Sequence, residues 1–447
     1  MAKKSAVSFV CTVCGHAQSS WSGKCPQCGQ WNTLEEQLDV STAKLKKAGQ
    51  KLKVVGVSEV AKSDSLERIY STDKQLDSVL GGGFVPGSVV LLAGQPGIGK
   101  STLLLQIAYE VARSKSVLYV SGEESTHQVA LRAVRLGKVS PQLQLASSTV
   151  TDDIARTIAE NDYDLVVLDS IQTVACNDIS SAAGSVAQIT NSTHVLTEVA
   201  KAHNTVLIIV GHVTKQGAIA GPKLLEHSVD VVLQLDGDRY GGFKVLRTVK
   251  NRFGSTNEAA IYEMADKGMI AVDNPSASLL KERQIADGSV VMATMEGTRP
   301  LLVEIQALVH TTAYGYPKRA ASGFDLNRMN LLIAMLEKRT KLTLSDKDIY
   351  INVVGGINVN EPAADLAICM AIASASKGMQ LKKNAVVFGE IGLSGEVRHV
   401  THIDKRVAEA QKLGFDVAIG PKSTLKSSFL VAVPDVRSAL NSFLEKD

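Results

Sequence analysis

Val89-Val90-Leu91-Leu92-Ala93-Gly94-Gln95-Pro96-Gly97-Ile98-Gly99-Lys100-Ser101-Thr102 is the stretch that decides the fold of this chain. It begins as an unbroken apolar run, the mark of a strand covered on both faces in a parallel sheet. Gly94, Gly99, Lys100 and Ser101 then fall at the spacing G-x-x-x-x-G-K-S, and Leu103-Leu104-Leu105-Gln106-Ile107-Ala108 continues with helical character. Phosphates carry several negative charges, and a ring of backbone N–H groups ahead of a helix N-terminus holds them well. Glycines allow the backbone to wrap that closely. The spacing predicts an ATP site formed by Gly94, Gln95, Pro96, Gly97, Ile98, Gly99, Lys100, Ser101 and Thr102, with Lys100 as the cation for the β and γ phosphates and the Ser101 hydroxyl as a Mg²⁺ ligand. The bland alternative is a glycine-rich turn that binds nothing. The strand before it, the helix after it and the complete spacing argue against that.

Outward from this stretch, residues 56–272 alternate short apolar runs with helical segments, the pattern of a parallel α/β sheet. Candidate strands are 89–94, 117–121, 165–169, 205–211, 229–235 and 243–250. Leu165-Val166-Val167-Leu168-Asp169 is four apolar residues closed by an acid, which delivers Asp169 to the sheet edge as a second Mg²⁺ ligand. Strand 117–121 runs into Gly122-Glu123-Glu124, where a water-activating carboxylate belongs; Glu123 is nearer the strand end, and Glu124 suits the competing role of helix cap near Ser125. Strand 205–211 leads into His212, a candidate γ-phosphate sensor or an ordinary hydrogen-bonded histidine. Residues 213–223 are glycine-rich and cationic, as a DNA-tracking loop would be. Lys250-Asn251-Arg252-Phe253-Gly254 closes the last apolar strand with two cations one residue apart, either a charge pair for a neighbour's phosphate or a solvated turn. The glycines of Leu80-Gly81-Gly82-Gly83 are expected to fold the chain over beside the nucleotide.

A chain of 447 residues exceeds one core, and its 45% hydrophobic and 21% charged residues are ordinary for a globular protein. No apolar run is long enough to span a bilayer, and the start lacks a signal-peptide pattern, so a cytoplasmic protein without membrane contact is expected. Eight lysines against three acids give residues 1–53 a charge of +5, leaving −2 for the other 394. Cys11, Cys14, Cys25 and Cys28 form two CxxC pairs ten residues apart, the ligand set of a Zn²⁺ ribbon. A redox dithiol would need only one such pair, and His16 beside a complete shell reads as a bystander. Such a small module draws its folding energy from the metal. The organisation read from the sequence is a zinc module at 1–33, a basic linker at 34–55, the ATPase at 56–272 and a further domain at 280–447.

Together the four-cysteine module, Gly94–Thr102, Ser121-Gly122-Glu123-Glu124-Ser125, Leu168-Asp169-Ser170-Ile171-Gln172-Thr173 and Lys250-Asn251-Arg252-Phe253-Gly254 resemble the RadA (Sms) family of bacterial DNA repair ATPases, across essentially the whole chain. The resemblance implies a RecA-like core and a DNA-dependent ATPase. It implies a homo-oligomer, a hexameric ring, that promotes branch migration of intermediates made by RecA filaments on single-stranded and branched DNA. It also implies that Lys250 and Arg252 reach a neighbouring subunit's ATP, completing a catalytic set of Lys100, Glu123, Asp169, Lys250 and Arg252.

From Ser289 onward the chain is similar to the proteolytic domain of Lon, an α+β domain, through Ser289–Glu304, Ile351-Asn352-Val353-Val354-Gly355-Gly356 and Gly389–Val397. The rival function is therefore an ATP-dependent serine protease. Aligned by eye, the serine position falls on Ala363 and the lysine position on Asp404. A methyl group does not attack a carbonyl and a carboxylate there activates nothing, so this domain is expected to be catalytically inactive. Tyr314, Tyr316, Lys318, Arg319 and Arg328 mix aromatic and basic groups around a loop, a phosphate-facing patch or a solvated surface.

Overall fold

The computed structural model describes residues 7–11, 13–14, 16–18, 20–38, 56, 67–212, 224–237, 242–313, 315–381 and 384–445. The 213–223 loop, Tyr314 and most of the basic linker lie outside the described residues. The chain divides into two compact units, Met1–Ser63 and Asp64–Asp447.

In the first unit, strands β1 (Val7–Cys11), β2 (Ala17–Gln18) and β3 (Leu34–Leu38) form an antiparallel sheet in the order β2-β1-β3. Its buried core is Cys11, Cys25 and Leu34, with Phe9 and Cys28 packed against them. Burial on that scale does not offset the chain entropy of the module, so its stability rests on what ties the four cysteines together.

The second unit is built on a nine-stranded sheet. Its strands are β4 (Val89–Gly94), β5 (Val117–Ser121), β6 (Leu143–Ser147), β7 (Leu165–Asp169), β8 (Val206–His212), β9 (Val231–Gly237), β10 (Phe243–Asn251), β11 (Ala259–Ala265) and β12 (Gly268–Ala271). They lie in the order β12-β11-β10-β9-β4-β8-β7-β5-β6. From β9 to β6 neighbours are parallel, and β10, β11 and β12 continue antiparallel.

The apolar run of β4 explains its central place. Val90 and Leu92 pack into one core with helices Lys100–Val111 and Thr126–Arg135, while Val89 and Leu91 enter a second core with helices Thr151–Glu160 and Val186–Ala202. Fully burying a side chain of this size is worth roughly 1.5–3 kcal/mol, so each face contributes alike. All six expected strands are present, within two residues at each end. Three were not anticipated. β6 is a half-exposed edge strand of polar and apolar residues, and β11 and β12 form a short antiparallel hairpin.

The second unit also holds a seven-stranded sheet, ordered Arg319–Ser322, Lys347–Val353, Arg299–Thr311, Ser289–Glu296, Ala385–Val387, Val417–Gly420 and Leu430–Ala432. Against it lies helix Asp365–Lys377, buried without interruption from Asp365 to Ser374, as its all-round apolar sequence requires. This core continues into Phe243, Val245 and Ile261 of β10 and β11. Arg247 of β10 spans the two sheets, pairing with Asp236 at 3.0 Å and Glu296 at 2.7 Å.

One expectation is corrected. The Gly81–Gly83 cluster does not lie beside the nucleotide loop. Residues leading into a strand sit at its amino end, and the P-loop leaves β4 at the other. Gly81 instead meets Gly254 backbone to backbone, Asn251 Nδ2 donates to Leu80 O at 3.1 Å, and Arg68 Nη2 donates to Phe253 O at 3.1 Å.

Candidate nucleotide and metal sites

The P-loop leaves the carboxyl end of β4 with Gln95, Pro96 and Gly97 exposed and Ile98 buried as its anchor. Gly99 adopts φ +111°, a left-handed backbone that a side chain would strain, and it caps helix Lys100–Val111 without any side-chain hydrogen bond. The first amides of that helix therefore keep no side-chain acceptor at the cap and face the loop. Ser101 and Thr102 are half-buried in the first turn. Lys100 Nζ donates to Gly94 O at 2.8 Å and Gln95 O at 3.0 Å, folded back across its own loop. Burial pushes its ammonium down to about 8, against the opposing pull of Asp169 and Glu123.

The register Ser121↔Asp169 brings β5 and β7 to the same level at this edge. Asp169 is buried, and Tyr119 Oη donates to its Oδ2 at 2.7 Å. Burial, reinforced by that carboxylate, raises the Tyr119 phenol well above its ordinary value and keeps it a donor. Gly122 N donates to Asp169 O at 2.8 Å, and a Cβ on Gly122 would sit 2.1 Å from Thr173 Oγ1, so only glycine permits these two turns to touch. Ser170 Oγ donates to Glu123 Oε1 at 2.7 Å, holding the exposed Glu123 beside the buried acid.

The adjacent acids divide their tasks. Glu124 is gripped by Arg132, with Nη2 at 2.6 Å from Oε2, and the cap of helix Thr126–Arg135 is Ser125 itself, in a capping box with Gln128. β8 ends level with the P-loop, where His212 pairs with Gly94. Lys100, Ser101, Glu123 and Asp169 thus gather at one edge of the sheet. Sequence reasoning missed Tyr119 and Ser170. The available signal, a tyrosine in the middle of one apolar strand and a serine directly after the acid that closes the other, is weak.

Lys250 and Arg252 lie elsewhere. A bulge between Thr248 and Lys250 shifts the β9–β10 register so that Lys250 pairs with Val232 near the start of β9. Its Nζ donates to Glu226 O and Val229 O, both at 2.7 Å, at the end of helix Leu224–Ser228. Arg252 pairs with the buried Asp230 at 3.1 Å, and Asp230 Oδ2 accepts from Val89 N at 3.1 Å. That is the amino edge of the sheet. Five residues of extended strand, about 17 Å, separate it from Gly94.

In the first unit the four thiol sulfurs of Cys11, Cys14, Cys25 and Cys28 all lie within 4.8 Å of one another. Cys11 and Cys28 approach to 3.6 Å, as do Cys14 and Cys25. Tetrahedral Zn–S bonds of about 2.3 Å put sulfurs about 3.8 Å apart, so the donor set fits one Zn²⁺.

In the C-terminal region Ala363 is buried in the turn Pro362–Ala364, and Asp404 is exposed at the first turn of helix Ile403–Lys412. Between these elements Arg406, wholly buried, pairs with Glu361 at 2.5 Å and also donates to Ala293 O. No serine–lysine pair stands there. The basic patch loses Arg328, whose guanidinium is committed to the buried Asp365, with Nε at 2.6 Å from Oδ1. Tyr316 is fully exposed nearby in sequence. Among the described residues, no helix is long and apolar enough to cross a membrane.

Three family models match the chain: an AAA domain over residues 58–218, a rubredoxin metal binding domain over 9–36, and subunit ChlI of Mg-chelatase over 321–424. The chain is similar to the DNA repair protein RadA of Aquifex aeolicus, 47% identical over 94% of either chain. It is likewise similar to DNA repair protein RadA of Bacillus subtilis, 46% identical over 98% of each. Among solved structures, the RadB recombinase is 24% identical and covers 46% of this chain and 100% of its own, with a TM-score of 0.37.

Proposed function

Because the chain belongs to the RadA family of DNA repair proteins, we propose that it is a DNA-dependent ATPase that drives branch migration of recombination intermediates as a ring-shaped motor. The observation that carries the reading is the convergence of the P-loop, Lys100, Glu123 and Asp169 at one sheet edge.

In this reading the loop amides and Lys100 bind the phosphates, and Lys100 exchanges its own carbonyl partners for phosphate oxygens. Ser101 and Asp169 would hold Mg²⁺, which neutralises charge on the β and γ phosphates. Tyr119 fixes the Asp169 carboxylate, and Ser170 fixes Glu123, which orients the attacking water and takes its proton. Lys250 and Arg252 are too far from their own P-loop to serve it, which supports a role at the ATP of an adjacent subunit in a hexamer. The 213–223 loop follows β8 from the P-loop edge and would carry the response to DNA. Single-stranded and branched DNA and RecA filaments are the expected partners, and the four cysteines hold Zn²⁺ in a module that docks one of them.

Hydrolysis measured with and without single-stranded DNA tests the motor reading; a rate indifferent to DNA would argue for a signalling ATPase. Mixing Lys250→Ala with Lys100→Ala subunits should restore part of the activity, and mixed rings without rescue would count against shared sites. The protease reading has no residue to act as nucleophile at Ala363; robust ATP-dependent cleavage of casein would revive it.

A further inference from the structure

The hairpin of β11 and β12 has no part in the chemistry above, yet it stands against the P-loop. Met264 and Met269 face each other across it. A Cβ built on Gly99 would lie 2.7 Å from Met264 Cε and 3.2 Å from Met269 Cε. Gln106, in the P-loop helix, locks the hairpin in place: its amide donates to Met269 O at 3.1 Å and accepts from Met269 N at 2.8 Å. Met269 is buried by this arrangement, whereas Met264 remains 41% exposed. A large apolar side chain thus stands, partly exposed, at the rim of a phosphate loop on a backbone that Gln106 holds in place.

Sheet order says which part of a ligand meets it. Glu123 and Asp169 close strands on one side of β4, and the hairpin lies on the other. A nucleoside triphosphate that turns its terminal phosphate toward those carboxylates directs its base the opposite way. We propose that Met264, backed by Met269, is the surface on which the purine base of ATP lies. A thioether is polarisable and packs favourably against an aromatic ring. It offers no strong donor or acceptor, so it holds adenine and guanine alike. The base would be gripped by area and not read by its exocyclic group.

The inference rests on the P-loop binding a nucleotide, and the experiment separates the two. Wild type, Met264→Ala and Met264→Leu are titrated calorimetrically with ATP, GTP and inorganic tripolyphosphate. Met264→Ala is expected to weaken ATP and GTP about fivefold, within the range of a sulfur–aromatic contact, and to leave tripolyphosphate unchanged. Met264→Leu should recover most of the loss, since its volume is nearly conserved. An unchanged ATP affinity in Met264→Ala overturns the proposal. So does an equal loss for ATP and tripolyphosphate, which would make Met264 a prop for Gly99. Failure of the wild type to bind either ligand would remove the nucleotide reading itself.

Discussion

Between pH 7.5 and 9.5 the affinity of the P-loop for ATP should fall roughly 25-fold, as the buried Lys100 ammonium loses its proton before a phosphate can claim it. With the group titrating at about 8 in the free protein, about three quarters of molecules carry the charge at pH 7.5 and about one in thirty at pH 9.5. The terminal phosphate, ionising near 6, stays fully charged throughout and does not confound the slope. Burial is the main cause of the low value, and Asp169 and Glu123 oppose it. Asp169→Asn should therefore move the midpoint to lower pH. The effect on stability has the opposite sign. Between about 8 and 10.5 the unfolded chain holds more protons on this lysine than the folded one, so its contribution to stability rises with pH while ATP affinity falls. Calorimetric titration at fixed ionic strength, beside thermal melts of the free protein, separates the two. A flat affinity over this range, or a loss that follows the melting temperature down, would refute the argument.

Glu123→Gln should lower the hydrolysis rate by about 10²- to 10⁴-fold and leave the ATP dissociation constant within about twofold, since the amide keeps the Ser170 contact and loses only the base. Unaffected hydrolysis would transfer the role to another group. Zinc analysis should return one ion per chain. Its removal should change the tryptophan emission, which reports on the four-cysteine module alone because both tryptophans, Trp21 and Trp31, lie there and are exposed; an unaltered spectrum would mean the cysteines hold no metal. Arg406→Ala should cost about 3 kcal/mol in denaturant unfolding by leaving Glu361 without its partner, and the Arg406→Met, Glu361→Gln pair should recover most of it.

The sequence made the parallel sheet and its catalytic edge legible because both are written in strong local patterns. A run such as Leu165–Leu168 is fully apolar only when both faces are covered, and Asp169 at its end stands out against it. The edge strands were harder to see. β6 is half solvated, and the β11–β12 hairpin owes its place to the contacts of Met269 with Gln106 and of Tyr262 with Asp73, both far from it in sequence. Ser170 and Tyr119 escaped for the same reason: a hydroxyl acquires its role from the carboxylate that tertiary packing brings to it. The Gly81–Gly83 cluster was misplaced because composition marks a tight turn but not the edge of the sheet on which it falls. Arg328 was misread because Asp365, its partner, is 37 residues away and buried.

Sheet polarity also constrains how subunits can meet. Lys250 and Arg252 occupy the amino edge and the P-loop the carboxyl edge of one sheet. If the first serve a neighbour's phosphates, the amino edge of one molecule faces the carboxyl edge of the next. A two-fold axis would have to make that contact twice, each amino edge on the other's carboxyl edge, whereas a single such contact leaves one molecule's carboxyl edge and the other's amino edge unused. Repeated in one direction, the contact would be heterologous, closing as a ring or continuing as a filament. In the proposed reading, helix Leu224–Ser228 would link that seam to the DNA-responsive segment. Its terminal carbonyls hold Lys250 Nζ at 2.7 Å, and it directly follows the 213–223 segment. Drawing Lys250 toward a neighbour's γ-phosphate would release those carbonyls, so a change at the seam would be felt at the helix that follows that segment. A Lys250→Met variant, which keeps the stem and loses the charge, should hydrolyse ATP slowly and at the same rate with or without DNA. Retained stimulation by DNA in that variant would separate the two events and break the link.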